Sequence, residues 1–220
     1  MSESKAKGKL ISFEGLDGAG KTTQMELLEQ WLATSHVSYV RTREPGGTPL
    51  GVEIRELVLH HPELAITPLA EAFLFQADRA QHFTSLVIPA LQEGTIVVTD
   101  RCFDASIAYQ GHARGVGVEF VARLSVIATQ GYIPDLTIML DLDPTLVQSR
   151  TDSANDTSGL REEQTRFDVE TLFFHRRVRE AFLTLAGLYP NRIKLLDASR
   201  SQQEIHKEIM ALVEALLLTE

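Results

Sequence analysis

The chain has 220 residues, 44% hydrophobic and 23% charged, which is typical of a globular protein and fits a single α/β domain spanning residues 1–220. Its net charge of −9 argues against a nucleic-acid partner, because phosphate backbones attract broad basic surfaces. The only cysteine, Cys102, excludes an intrachain disulfide and fits a reducing, cytoplasmic setting. No apolar run approaches the roughly 18 residues of a membrane helix, so no membrane partner is expected.

Five short apolar stretches are predicted to be strands, with helical patterns such as 21–34 and 202–218 between or after them. The stretches are rich in Ile, Val and Leu without clean alternation, as in parallel strands covered on both faces. Alternating strands and helices predict a wound parallel sheet with right-handed crossovers. The predicted strands are Leu10–Glu14, Tyr39–Arg43, Thr95–Asp100, Thr137–Leu142 and Ile193–Asp197.

Two segments interrupt this rhythm. TREPGGTPLG (42–51) is a Pro/Gly turn that is predicted to lead into a helix. Residues 150–166 are polar and nearly free of large apolar side chains. A long polar excursion inside a compact domain is more often a functional loop or lid than a simple connection.

GLDGAGKT (15–22) matches G-x-x-x-x-G-K-[ST] and stands between a predicted strand and a predicted helix, the context that supports a phosphate-binding loop over a chance glycine turn. Backbone amides would surround the β-phosphate, Lys21 would reach the β- and γ-phosphates, and the Thr22 hydroxyl would ligate Mg²⁺. The predicted ATP-binding residues are Gly15, Leu16, Asp17, Gly18, Ala19, Gly20, Lys21, Thr22 and Thr23.

Two further charged features lie near this loop. A carboxylate at Asp17 is unfavourable beside phosphates unless it faces a substrate hydroxyl, the metal or solvent, and these alternatives stay open on the sequence alone. The third predicted strand ends in Asp100 and Arg101, at the edge where ligands bind in open α/β sheets. Arg101 is suited to bidentate phosphate binding and Asp100 to Mg²⁺ through water, although a purely structural ion pair is an equal alternative.

Aromatic and basic side chains downstream suggest a second substrate. Phe75 and Arg79 are four residues apart and lie on one helix face, an arrangement that fits a base stacked on the ring with arginine at its polar edge. Arg55 follows the EPGG turn, and Arg150, Arg161 and Arg166 lie in or beside the polar excursion. Any one of these arginines taken alone is more often a solvated surface residue.

Several motifs in order make the chain resemble bacterial thymidylate kinases along nearly its whole length. They are FEGLDGAGKTTQ (13–24), TREPGGTPLG (42–51), FLFQADRAQH (73–82), TDRCFDASIAYQG (99–111), ARGVG (113–117), PDLTIMLDL (134–142) and TRFD (165–168). The resemblance implies a three-layer nucleoside monophosphate kinase fold with a five-stranded parallel sheet of order 2-3-1-4-5, helices on both faces and a short lid. It also implies transfer of phosphate from ATP to dTMP, with Mg²⁺ and a homodimer.

The resemblance further implies roles for individual residues. Asp17 would read the sugar 3′-hydroxyl. At the base, Phe75 would stack on thymine, Arg79 would hydrogen-bond its edge, and Ser106 and Gln110 would contact it. Tyr109 would pack against the sugar, and Arg55 and Arg101 would bind the phosphate. Glu44 would lie near substrate and metal.

Some family members carry a catalytic arginine in the phosphate loop, where this chain has Gly18. The chain therefore resembles the type that supplies this arginine from the lid, here Arg166. The expected catalytic set is Lys21, Arg101, Arg166 and Asp17. Cys102, where tyrosine is common, and the long acidic lid at 151–165 depart from the family pattern.

Two other functions compete with this interpretation. One is a kinase for another nucleoside monophosphate or small acceptor, which the AYQG stretch and the Phe75–Arg79 pair disfavour. The other is a nucleotide-dependent switch, which would not need a second arginine-lined pocket; the chain also has no N-K-x-D guanine motif. The predicted helix at about 67–92 is a plausible dimer contact, although its pattern does not establish one.

Overall fold

The computed structural model describes residues 8–147, 165, 167 and 170–218. Within them, five parallel strands form one sheet of order β2-β3-β1-β4-β5, which confirms the expected fold and strand order. The strands are β1 (Leu10–Gly15), β2 (Tyr39–Arg43), β3 (Ile96–Asp100), β4 (Leu136–Asp141) and β5 (Ile193–Asp197). The third begins one residue later than predicted, because the Thr95 amide bonds to Ala90 O and closes the preceding turn.

Helices connect the strands. They are α1 (Lys21–Thr34), α2 (Pro49–His60), α3 (Pro68–His82), α4 (Ile88–Gln92), α5 (Phe103–Ser106), α6 (Val118–Ala128), α7 (Leu172–Leu188) and α8 (Gln202–Leu217). Two π-helical segments, Phe83–Val87 and Ile107–Ala113, follow α3 and α5. The helix predicted at about 67–92 is therefore α3, a π-helical segment and α4 in succession. Across the described parts of the chain, no helix is long and apolar enough to cross a membrane.

Two apolar clusters cover the two faces of the sheet. On one face, α1 and α8 pack together through buried side chains such as Leu28 and Ile209. On the other, α2, α6 and α7 contribute Val58, Val121 and Phe182 to a larger cluster. These clusters give the three layers expected of a parallel sheet with helices on both faces.

The strand register determines which residues meet at the carboxyl edge of the sheet. Phe13 of β1 is paired with Asp100 of β3, which is also paired with Arg43 of β2. Gly15 is paired with Leu140 of β4. Because all five strands run in the same direction, the residues that follow them lie together at this edge, where ligands bind in such folds.

A buried ion pair ties α5 to the start of β5. Arg192 donates to both carboxylate oxygens of Asp104, at 2.6 and 2.9 Å, and to Thr137 Oγ1 at 2.9 Å. The Asp104 side chain is fully buried, and the Arg192 guanidinium lies 5.2 Å from the centre of the Phe103 ring. The bidentate geometry satisfies a carboxylate that would be costly to bury alone.

Replacing Arg192 with alanine is expected to lower the free energy of unfolding by about 3 kcal/mol, because it leaves Asp104 buried without its cation. Urea unfolding followed by circular dichroism measures this change. Arg200→Ala is the matched control, since the Arg200–Glu208 pair is partly exposed to solvent and should contribute little. Equal losses for the two variants would contradict the structural role of the Asp104 pair.

Candidate active site

The loop between β1 and α1 requires glycine at several positions. Gly15, Gly18 and Gly20 have φ angles of 135°, 75° and 96°, a region that other residues rarely adopt. A side chain at Gly15 would also place its Cβ 2.5 Å from Leu140 O. Gly20 precedes α1 and provides no side-chain cap, so no N-cap side chain competes with an anion for the first amides of the helix.

Lys21 folds back over this loop. Its ammonium group lies 3.1 Å from Leu16 O, 3.4 Å from Gly15 O and 3.4 Å from Asp17 Oδ1. The side chain is buried by the loop. This placement fits a lysine that binds the β- and γ-phosphates of a nucleotide.

Asp100 and Thr22 are the candidate metal ligands, and their surroundings fit Mg²⁺. Asp100 Oδ1 is buried and has no hydrogen-bond partner in the described part of the chain, and Thr22 is exposed at the start of α1. Oxygen atoms are the ligands that Mg²⁺ prefers, usually one or two from protein with phosphates and waters. Consistent with so few protein ligands, the described residues contain no group of three or more His, Cys, Asp or Glu side chains placed to hold a metal.

Arg101 links the third strand to the phosphate loop. Its guanidinium donates to Asp17 Oδ1 at 2.7 Å and to Gly15 O at 3.0 Å, and it lies 5.1 Å from the centre of the Tyr109 ring. Its backbone is left-handed, with φ of 65°. Asp17, Lys21 and Arg101 are therefore brought together, as the sequence predicts.

This cluster stabilises the ionised form of Asp17. Burial alone would raise the pKa of Asp17, but Arg101 and Lys21 overcome it and hold the pKa well below its usual value. Burial likewise opposes charge on Arg101, yet Asp17 raises the pKa of that guanidinium. Asp17 thus remains ionised and able to accept a hydrogen bond.

Arg55 lies beside the same edge, together with Arg43, a residue that the sequence analysis missed. Arg55 donates to Pro45 O at 3.2 Å. Burial, followed by the neighbouring Arg43, lowers the pKa of Arg55. Adjacent cations of this kind favour binding of an anion that relieves their repulsion. The place of Arg43 at the carboxyl end of a strand was the available sequence signal.

Glu44 and Arg79 form a buried polar network. Glu44 Oε2 accepts from Arg79 Nε at 2.8 Å, and Oε1 is 2.9 Å from His82 Nδ1. Burial would raise the pKa of Glu44, but Arg79 and His82 lower it. Arg79 also donates to Gln76, Ser106 and Ser125, at 2.9, 3.1 and 3.4 Å.

Because Arg79 donates its hydrogen bonds to protein acceptors, a hydrogen bond to a base would have to replace one of these existing bonds. The long contact to Ser125 is the weakest of the set. The roles of Arg79 at the base and of Glu44 near substrate and metal stay predictions.

The other residues of the predicted acceptor pocket lie on α3, α5 and the π-helical segment after α5. Phe75 is half-buried, and its ring centre is 6.4 Å from that of Phe167. The Tyr109 ring lies 5.6 Å from Phe167, and burial raises the pKa of Tyr109. Gln110 donates to the buried Glu71 at 2.8 Å. Phe167 and Glu71 were not anticipated from the sequence.

The lid falls largely outside the described residues. Thr165 and Phe167 are described, but Arg150, Arg161 and Arg166 are not, so the source of the catalytic arginine stays a prediction. Cys102 is fully buried, and burial raises the pKa of its thiol, which favours the structural alternative for this residue.

Asp78 anchors the EPGG turn and makes the stability of the fold depend on pH. Its Oδ1 accepts the Gly46 amide at 3.0 Å. Burial, with Glu44 nearby, raises the pKa of Asp78 from its usual 3.8 to about 6. Folding therefore favours the protonated carboxyl, and the stability from this group is complete below pH 3.8 and lost as the pH rises through about 6.

Asp78→Asn removes this titration, so the variant should gain melting temperature relative to the wild type between about pH 4 and about pH 7. Thermal unfolding at both pH values measures the difference. Glu26→Gln, at an exposed position of α1, serves as the control. A wild-type protein that becomes relatively more stable than Asp78→Asn over this range would contradict the raised pKa.

Comparison with known proteins assigns the chain to a family. A model of the family described as "Thymidylate kinase" matches residues 13–209. Thymidylate kinase of Leifsonia xyli is 49% identical over 202 residues, 92% of each chain, and that of Clavibacter michiganensis is 46% identical over 213 residues, 96% of each chain. A crystal structure of thymidylate kinase from Ehrlichia chaffeensis superposes with a TM-score of 0.74 at 29% identity, covering 94% of this chain and 99% of the other. This chain therefore belongs to the thymidylate kinase family and is a phosphotransferase.

Proposed function

We propose that the chain transfers the γ-phosphoryl group of ATP to dTMP, giving ADP and dTDP for dTTP synthesis. The observation that carries this proposal is the joining of donor and acceptor groups by Arg101, which contacts both the phosphate loop at Gly15 and the sugar-reading candidate Asp17. Residues 1–220 would act as one kinase domain with a lid at about 150–166.

The donor side is the phosphate loop and the first turn of α1. Its free amides and the ammonium group of Lys21 would surround the β- and γ-phosphates. Mg²⁺, held by Thr22 and Asp100 together with the phosphates, would neutralise charge on the transferred group when bound. Asp100 Oδ1, which has no hydrogen-bond partner within the described part of the chain, supports this assignment.

On the acceptor side, three arginines surround the place for the dTMP phosphate. Arg101 and Arg55 would bind its oxygens, and Arg43 adds to the local positive charge. A phosphate monoester has a second pKa of about 6, so it is already a dianion at neutral pH. The residues therefore need to bring two anions together and hold them in line, and no general base is required.

The base and sugar would lie between Phe75 and Tyr109. The aromatic rings around Tyr109 form an apolar wall, which suits a deoxyribose that lacks a 2′-hydroxyl. Ser106, Arg79 and Gln110 would supply polar contacts to the base, with Arg79 bonded to Ser106 and Gln110 bonded to Glu71 in the structure. Arg166 of the lid would stabilise charge on the transferred phosphoryl group, and closure of the lid would exclude water.

A panel of nucleoside monophosphates tests the acceptor. With ATP and Mg²⁺, the purified protein should give a much higher kcat/KM for dTMP than for dCMP or AMP in a coupled ADP-release assay. dUMP should be the nearest competitor, because one methyl group contributes only about 1–3 kcal/mol. A preference for AMP or dCMP would support the kinase for another acceptor, and ATP binding without turnover would support a switch.

The same assay tests the catalytic roles. Lys21→Ala and Arg166→Ala should each lower kcat by roughly 10²–10³-fold, because each removes a preorganised donor to the transferred group. The control is Lys207→Ala, at an exposed position of α8. Near-wild-type kcat for Arg166→Ala would exclude this arginine from the mechanism.

We further propose that the protein acts as a homodimer in the cytoplasm. Large apolar side chains are exposed along α3 and α6, including Phe73 at 50% and Ile127 at 73%. The Phe73 and Phe120 rings pack edge to face at 6.4 Å, so the exposed groups of both helices form one continuous surface, the α3/α6 face. A second copy would cover this surface, and the single buried cysteine suits a reducing compartment.

Light scattering after size exclusion should give twice the chain mass for the wild type. Phe73→Glu, which places a charge in the α3/α6 face, should elute as a monomer. Leu188→Glu provides the control, because Leu188 is also exposed, at 65%, but lies at the end of α7. A monomeric wild type at micromolar concentration would exclude the dimer.

A further inference from the structure

Glu14 is a fully buried acid directly before the phosphate loop, and no step of the proposed mechanism uses it. Its Oε1 accepts the backbone amide of Cys102 at 2.8 Å. Its Oε2 is also buried and has no hydrogen-bond partner among the residues that the structure describes. Burial, together with the nearby Asp104, raises the pKa of Glu14 to about 8. Such a group is costly to keep in a core.

The amide that Glu14 accepts belongs to the residue after Arg101. Arg101 has φ of 65°, the left-handed conformation, which is unfavourable for residues with a side chain. The Arg101 amide bonds to Phe13 O at 2.9 Å. Two consecutive residues of β1 therefore hold the amides on both sides of the Arg101 Cα. The carbonyl of Phe13 accepts the Arg101 amide, and the side chain of Glu14 accepts the Cys102 amide.

The position of the Arg101 guanidinium follows from the backbone conformation of this turn. From the left-handed backbone it reaches Gly15 O and Asp17 Oδ1. If Cys102 lost its acceptor, its amide would be buried without a partner, and rotation of the Arg101 backbone toward an ordinary conformation would relieve both this loss and the strain. The same rotation would move the guanidinium away from the phosphate loop.

We propose that Glu14 is a positioning residue for Arg101: by accepting the Cys102 amide, its carboxyl group holds the left-handed turn that directs the guanidinium to the phosphate loop. The functional consequence rests on the proposed phosphate-binding role of Arg101. The claim that Glu14 holds the Arg101–Cys102 turn is independent of that role, because it concerns only the backbone conformation of the turn.

Two variants separate the hydrogen bond from the volume of the side chain. Glu14→Leu keeps a similar volume but has no acceptor, whereas Glu14→Gln keeps a carbonyl oxygen for the Cys102 amide. Glu14→Leu should lower kcat by on the order of 10–10²-fold, the scale of misplacing a catalytic group by about 1 Å, and Glu14→Gln should restore most of it. Equal impairment of the two variants would overturn the proposal.

A double-mutant cycle shows whether Glu14 acts through Arg101. Arg101→Ala alone should lower kcat strongly, and adding Glu14→Leu to it should cause little further loss, because the group being positioned is already gone. Full additivity of the two losses would overturn the proposal. If Arg101→Ala instead retains wild-type kcat, the phosphate-binding role of Arg101 fails while the turn remains to be judged by the next measurement.

Cys102, the only cysteine of the chain, provides that measurement without using activity. Its thiol is buried in the turn, so its rate of labelling by an aromatic disulfide reports opening of the Arg101–Cys102 backbone. Labelling should be at least about tenfold faster in Glu14→Leu than in the wild type or Glu14→Gln, since the turn loses its acceptor. Equal rates in Glu14→Leu and the wild type would overturn the proposal.

Asp135→Ala is the matched control, because Asp135 accepts the Leu10 amide at 2.7 Å at the opposite end of β1. It removes another carboxylate-to-backbone bond of β1, from an exposed residue, and should change neither kcat nor labelling. Should both Glu14 variants fail to fold, hydrogen exchange of the wild type decides the question: strong protection of the Cys102 amide supports the proposal, and exchange at the rate of an exposed loop overturns it.

Discussion

The central position of β1 between β3 and β4 is the constraint on which the candidate site depends. Because the strands are parallel, their carboxyl ends form one edge, and the pairing of Phe13 with Asp100 places the phosphate loop beside the Asp100–Arg101 turn. The pairing of Arg43 with Asp100 brings the EPGG turn to the same edge. A shift of one residue along any of these pairs would direct the charged side chains into the opposite layer.

Charge is distributed unevenly over this framework. The chain is acidic, with a net charge of −9, yet Lys21, Arg43, Arg55 and Arg101 are concentrated at the carboxyl edge. The two carboxylates among them differ in their partners. Asp17 is paired with Arg101, whereas Asp100 Oδ1 has no hydrogen-bond partner among the described residues. The structure thus concentrates positive charge at one edge of a protein whose net charge would otherwise repel phosphates.

Buried polar groups organise the acceptor side. Glu44 connects the EPGG turn to Arg79 and His82, and Glu71 accepts a hydrogen bond from the side-chain amide of Gln110. The π-helical segment Ile107–Ala113 presents Tyr109 and Gln110 from one turn, and such widened turns are frequent at functional sites. These networks restrict the side chains of the predicted acceptor pocket, because leaving a buried polar group partly satisfied would cost free energy.

The sequence by itself determined the strands, the strand order through its resemblance to a family, and the phosphate loop. Local signals sufficed for the strands and the loop, because apolar runs mark buried strands and the spacing of the glycines with Lys21 and Thr22 marks the loop. The strand order came only from the resemblance. It also predicted separate roles for Asp17 and Arg101, which stay predictions, and it did not predict the contact between them. Glu14 and Glu71 were missed, because an acid within an apolar run carries no local sign of its partner.

Only the tertiary structure decided those partners. It showed Arg79 bonded to Glu44, Cys102 buried behind Glu14, and Arg43 beside Arg55. Each contact joins residues from different elements, so it arises from strand register and helix packing and leaves no trace in sequence spacing. The physical reason is the free-energy cost of burying an unpaired charge. A charged side chain that the fold buries must therefore find a specific partner, and only the tertiary structure shows which one.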